Sequence, residues 1–127
     1  MKINNNDKPR EFIVGEKNDI IIKDCGRIIL EDDEQVTFLT SSGAEYDVAK
    51  KDWGFYATPS LNGRLTSFGL RGVLIKNNKS KRFFVFLVEF GKETQFHNYC
   101  KNENLLIVTW LDSDEQLEKV EHKLKQN

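Results

Sequence analysis

The sequence predicts an α+β fold: a mainly antiparallel, strongly twisted or barrel-like β-sheet of about six to eight strands, one short helix and a C-terminal helix. Three observations carry this reading. Short β-branched and aromatic runs recur along the chain, separated by Gly, Asn, Asp and Ser. Residues 83–88 and 105–111 are apolar with almost no alternation, as in strands covered on both faces. Beyond residue 112 the pattern changes to a helical period opened by a capping residue.

Residues 1–10 are mostly Asn, Lys and Asp with one Pro, which predicts a frayed end. A short strand follows over 11–15. Residues 20–22 and 28–30 read as the arms of a tight hairpin, with Gly26 free to take a positive φ. Residues 31–34 are an acidic connector, and residues 35–40 and 45–49 form a second hairpin about a turn at 41–44. Residues 57–68 read as a long irregular loop, well beyond the usual connection of about 4–6 residues. A third hairpin joins residues 72–76 to 82–90, and the apolar run 83–88 is expected to be a central strand. Phe96, Tyr99 and Cys100 then fall at helical spacing between two apolar strands, which predicts a right-handed crossover with those strands parallel. The final helix, over 113–126, has Ser113 as N-cap, Gln116 three residues on, Asp114 and Glu115 in its first turn, and a narrow stripe of Leu117, Val120 and Leu124.

A chain of 127 residues fits a single domain, and its 39% hydrophobic content supplies a core without metal or disulfide. Cys25 and Cys100 have no neighbouring ligand pair, so free thiols are expected, with no metal and no cofactor. No basic segment followed by an apolar one opens the sequence, and no apolar run approaches the roughly 20 residues that span a bilayer. The expected location is the cytoplasm.

The net charge of −1 conceals an asymmetry. Residues 1–49 carry six basic and eleven acidic side chains, and residues 83–127 carry five and eight. Between them, residues 50–82 hold eight basic side chains against one acidic, a net of +7. That segment also contains Trp53, Tyr56, Ser60 and Asn62, so it combines cations, hydrogen-bonding groups and aromatic rings. Such a set suits a phosphorylated or sugar-like ligand: Arg64 and Arg71 to hold an anion, Trp53 or Tyr56 to stack, Ser60 and Asn62 to hydrogen-bond. The competing explanation is structural, since Lys76, Lys79, Lys81 and Arg82 surround a hairpin turn where solvated charge protects a sheet edge. His97 and His122 stand on separate predicted helices, and neither phosphate-loop nor dinucleotide fingerprints occur.

Residues 51–65, KDWGFYATPSLNGRL, together with the Cys25-Gly26 pair and the strand Val108-Thr109-Trp110-Leu111-Asp112, carry a resemblance. Over about residues 20–112 the chain resembles small bacterial proteins encoded among genes for surface-polysaccharide assembly. The resemblance implies a setting of nucleotide-activated sugars and cytoplasmic enzymes, and it transfers no residue role.

The leading expectation is therefore a non-catalytic accessory or binding protein of bacterial cell-surface polysaccharide biosynthesis. It would recognise a sugar phosphate, a nucleotide-sugar or a partner enzyme through the 53–71 loop. One alternative is a small β-barrel for single-stranded nucleic acid, against which stands the acidic sequence pI of about 6.1. Another is a small isomerase or transferase using Asp52, Tyr56 or His97 as acid or base. Exposed strand edges and the thin stripe of the last helix also predict a homodimer.

Overall fold

The protein is described by a computed structural model covering residues 1–126. The described residues form an α+β fold, with eight strands in three antiparallel sheets and three helices, and among them the sheets do not close into a barrel. The chain divides into two compact units, one comprising residues 1–36 and 48–56, the other residues 37–47 and 57 onward.

The first unit is dominated by a two-stranded ribbon of β1 (Lys2–Val14) and β2 (Ile20–Ile29). Residues 2–10 are thus strand, although their polar composition predicts a frayed end. Their pairing depends on β2 being continuous, and the short hairpin expected at residues 20–30 does not form. Gly26 keeps its positive φ, at 149°, but spends it on an irregularity opposite Asn5 rather than on a turn. A Cβ there would stand 2.3 Å from the Asn4 carbonyl oxygen, which only Gly avoids. Phe12 lies opposite Ile22 and Ile13 opposite Ile21, so the ribbon shows apolar side chains on both faces. Lys50 pairs with Asp32 at 2.8 Å and Lys51 with Asp33 at 2.5 Å within this unit.

Strands β3 (Gln35–Leu39), β4 (Glu45–Lys51) and β5 (Gly54–Ala57) are hydrogen-bonded in that order, and the chain passes between the units within each. The hairpin read over residues 35–49 is therefore present, with its turn where the sequence puts it.

The second unit holds the core. Its sheet has the order β7-β6-β8, with β6 (Leu70–Asn77) flanked by β7 (Phe83–Glu89) and β8 (Leu105–Trp110). Both neighbours run antiparallel to β6, so β7 and β8 point the same way, as the strand–helix–strand reading predicts, but with β6 between them. β7 is an edge strand rather than a central one, and its first residues Phe83, Phe84 and Val85 are exposed. Helix α2 (Glu93–Asn102) covers one face of the sheet. There Val73 and Ile75, both 0% exposed, pack with Val88, Phe96 and Cys100, bordered by Phe86, Ile107 and Trp110.

The other face is covered only at one end. The single-turn helix α1 (Arg64–Ser67) packs Leu65 with Leu70 and Ala44. Gly72 leaves room for Leu61, whose methyl would stand 3.0 Å from a Cβ there. This turn replaces part of the loop expected over residues 57–68. Helix α3 (Asp114–Lys125) starts as the sequence predicts, the Ser113 hydroxyl accepting from the Gln116 N–H at 3.1 Å, and it buries none of its side chains. No helix among the described residues is long and apolar enough to cross a membrane.

Candidate functional site

Three turns converge in the second unit, and each is set by a residue with positive φ. Gly43, at 97°, closes the turn between β3 and β4, with its N–H donating to the Thr40 carbonyl. Gly69, at 90°, follows α1, and Gly91, at 86°, joins β7 to α2. Backbone bonds tie these turns together: the Glu45 N–H donates to the Phe68 carbonyl and the Phe90 N–H to the Gly69 carbonyl, both at 3.0 Å. The cleft between them has a volume of about 450 Å³, in the range of small-ligand sites, and its lining includes Ser42, Ser67, Phe68, Glu89, Phe90 and Lys92.

Glu89 is the polar centre of this cleft. Its carboxylate accepts from the hydroxyls of Thr40 and Ser42, the latter at 2.8 Å, and pairs with Lys92 at 2.6 Å. Lys92 also donates to the Ser42 hydroxyl at 3.3 Å. These donors favour the ionised form, so the Glu89 pKa falls from an ordinary 4.5 to about 2, with Lys92 the largest cause, then Thr40, then Ser42. A depressed folded-state pKa contributes stability above about pH 4.5, and that contribution is lost as pH falls toward 2. Carboxyl-carbon NMR titration should find Glu89 still ionised at pH 3, and Lys92→Met should move its midpoint up toward the ordinary value. A wild-type midpoint at 4.5 would show that the hydroxyl–ammonium cluster does not hold in solution.

The residues singled out in the sequence are placed differently. Trp53 and Tyr56 belong to the first unit, exposed in the turn before β5 and on β5. Ser60, Asn62, Arg64 and Arg71 belong to the second. Ser60 accepts from the Arg64 backbone N–H at 3.0 Å, and Asn62 donates to Asp114 at 2.7 Å. The Arg64 guanidinium donates to the Thr58 hydroxyl at 2.7 Å, stands 3.6 Å from the Asp47 carboxylate and lies over the Phe68 ring. Arg71 points to the α2 face, where its Nε donates to Asp112 at 2.6 Å and its guanidinium stacks on Trp110, 3.9 Å from the ring centroid. Within the second unit both arginines already meet carboxylates.

Ser67, Phe68 and Gly69 are the part of the 53–71 segment that reaches the cleft. Glu89, Phe90, Lys92 and Ser42 were not legible as site residues. The Gly residues at 43, 69 and 91 signal turns, but nothing local tells that the three turns meet. Among the described residues no group of three His, Cys, Asp or Glu side chains is placed to hold a metal ion. Cys25 is exposed and Cys100 buried, both as free thiols, and burial pushes the Cys100 thiol pKa up. No family model, curated protein or solved structure matches the chain.

Proposed function

We propose that this chain is a non-catalytic binding protein of bacterial cell-surface polysaccharide biosynthesis, which holds the sugar portion of a nucleotide-sugar or sugar phosphate in the cleft around Glu89. The observation that carries the reading is the composition of that cleft: two aromatic rings beside an ionised carboxylate, an ammonium and two serine hydroxyls. A sugar offers hydroxyl donors for a carboxylate and C–H faces for aromatic rings, and a phosphate borne by it would draw on Lys92. The end of the 53–71 segment contributes Ser67 and Phe68, which keeps part of that segment in the site. The polysaccharide setting rests on the sequence resemblance alone.

Thermal-shift titration against nucleotide-sugars, their parent sugars and short single-stranded oligonucleotides tests this. A ligand at 100 times its Kd stabilises the fold by about 2.7 kcal/mol, which moves Tm by several degrees for a domain of this size. Glu89→Gln and Phe90→Ala should each weaken sugar-ligand binding about tenfold or more. Phe90 is largely exposed, so its loss should barely change the unliganded Tm. A shift only with oligonucleotides, abolished by Trp53→Ala and untouched by Phe90→Ala, would overturn the reading.

A further inference from the structure

Strand β7 has a strand partner on one side only. In the order β7-β6-β8 no strand of the sheet lies beyond it. Backbone bonds at its two ends fix which of its groups face outward. The Asn77 N–H donates to the Arg82 carbonyl at 2.8 Å and the Phe90 N–H to the Gly69 carbonyl at 3.0 Å, and the register between them is unbroken. Hydrogen-bonded pairs alternate along an antiparallel ladder, so residues 84, 86 and 88 turn their N–H and carbonyl groups toward β6. Phe83, Val85 and Leu87 turn theirs to the free edge.

Side chains obey the same alternation. Val73 and Ile75 pack beneath α2, so their partners Phe86 and Phe84 share that face, and Phe83, Val85 and Leu87 take the other. Phe83 is 57% exposed, Phe84 45% and Val85 60%, so both faces of the edge are bare at this end. A groove of about 720 Å³ borders the edge between β7 and α2, with Phe86, Gln95 and Tyr99 in its walls. Residues 83–88 are all apolar and hold neither the charge nor the proline that protects natural sheet edges. By contrast β1 carries Asp7, Lys8, Pro9 and Arg10.

We propose that two copies of this chain join edge to edge through β7, antiparallel across a two-fold axis at Val85, so that their sheets become continuous. Such an axis must set outward-facing residues opposite one another, and the spacing of Phe83, Val85 and Leu87 meets that condition. Val85 meets the partner's Val85, and Phe83 meets the partner's Leu87, so the outward N–H and carbonyl groups of all three are paired. On the α2 face Phe84 falls opposite the partner's Phe86, at the closer spacing of a non-hydrogen-bonded pair, and enters the groove beside Tyr99 and Gln95. The neighbouring register, centred on Phe86, would need the Glu89 carbonyl, which already accepts from the Lys92 N–H at 3.1 Å. Charge agrees with the direction. Antiparallel pairing brings the acidic end of one strand, Glu89, to the basic turn at residues 79–82 of the other, whereas parallel pairing would set like ends together. The occupant is thus fixed by the backbone, since an unpaired ladder accepts another extended strand, and by the sequence, since this chain presents one that matches itself.

Sedimentation velocity on the full chain, from micromolar to about 100 µM, tests the inference, and the wild type should be a dimer. Val85→Pro removes an N–H that β6 does not use, so it should leave the circular dichroism spectrum intact and weaken the dimer more than tenfold. Val85→Lys and Val85→Glu offer a second route that leaves the backbone unchanged. Each sets like charges face to face at the axis and should be monomeric, whereas an equimolar mixture of the two should recover dimer. That recovery requires Val85 to lie against its own copy. A wild type that stays monomeric at 100 µM, a dimer indifferent to Val85→Pro and Val85→Lys, or a mixture that stays monomeric overturns the inference.

Discussion

Phe96→Ala should lower stability by about 3–5 kcal/mol, the cost of emptying a buried aromatic site that cannot collapse. Phe96 is the residue through which α2 holds the sheet. Its ring meets Trp110 edge-on at 5.8 Å and Phe86 at 6.1 Å, and it closes the cluster that contains Val73 and Ile75. Each aromatic contact adds to the apolar burial. Cys100, one turn along the helix, is too small to close the gap. Urea denaturation followed by Trp110 fluorescence and far-ultraviolet circular dichroism would measure the loss. A change below 1 kcal/mol would mean that α2 does not rest on the sheet as described.

Arg71→Ala should cost about 2–4 kcal/mol, because it strands a mostly buried carboxylate instead of freeing a surface cation. Asp112 would lose a guanidinium at 2.6 Å, and the Trp110 ring would lose its stacked cation. Glu93 stands 3.9 Å from the same guanidinium, and its other oxygen is buried without a hydrogen bond. Asp112→Asn in the Arg71→Ala background should recover part of the stability, and the double-mutant cycle should give a coupling of about 1–3 kcal/mol. Arg71→Lys should rescue poorly, since an ammonium can neither fork to Asp112 nor lie flat on indole. An Arg71→Ala variant with unchanged stability but reduced ligand binding would return Arg71 to the anion-holding role its sequence context suggests.

Local features were legible in the sequence; long-range ones were not. The Ser113 cap, the hairpins about residues 41–44 and 77–80, and the helix between two apolar strands each depend on neighbours in the chain, and all are present. Misreadings arose where one signal has two physical causes. The unbroken apolar run 83–88 fits a strand covered on both faces and equally an edge strand with one bare half, and the structure has the second. A glycine with positive φ at 26 fits a turn or a strand irregularity, and only the pairing with β1 decides. Composition made 50–82 a basic segment, but whether Arg64 and Arg71 stay available depends on Asp47 and Asp112, which lie elsewhere in the chain. The Glu89 cleft draws on residues 42 to 92, beyond the reach of any local pattern.

The place of β6 between β7 and β8 also imposes an order in time. On the ribosome β6 can pair with β7 as soon as the turn between them is made, yet its second edge waits for β8. The chain grows by about 5–20 residues per second, so that edge stays open for a few seconds after residue 77 is joined. During that interval Val73 and Ile75 have only part of their cover, and an unpaired apolar strand edge is what a nascent chain most readily offers to a neighbour. Slow codons placed between residues 78 and 104 would lengthen the exposure, and rapid translation through α2 and β8 would shorten it. The time for which the second edge of β6 stays open is thus tied to the speed at which residues 78–110 are made.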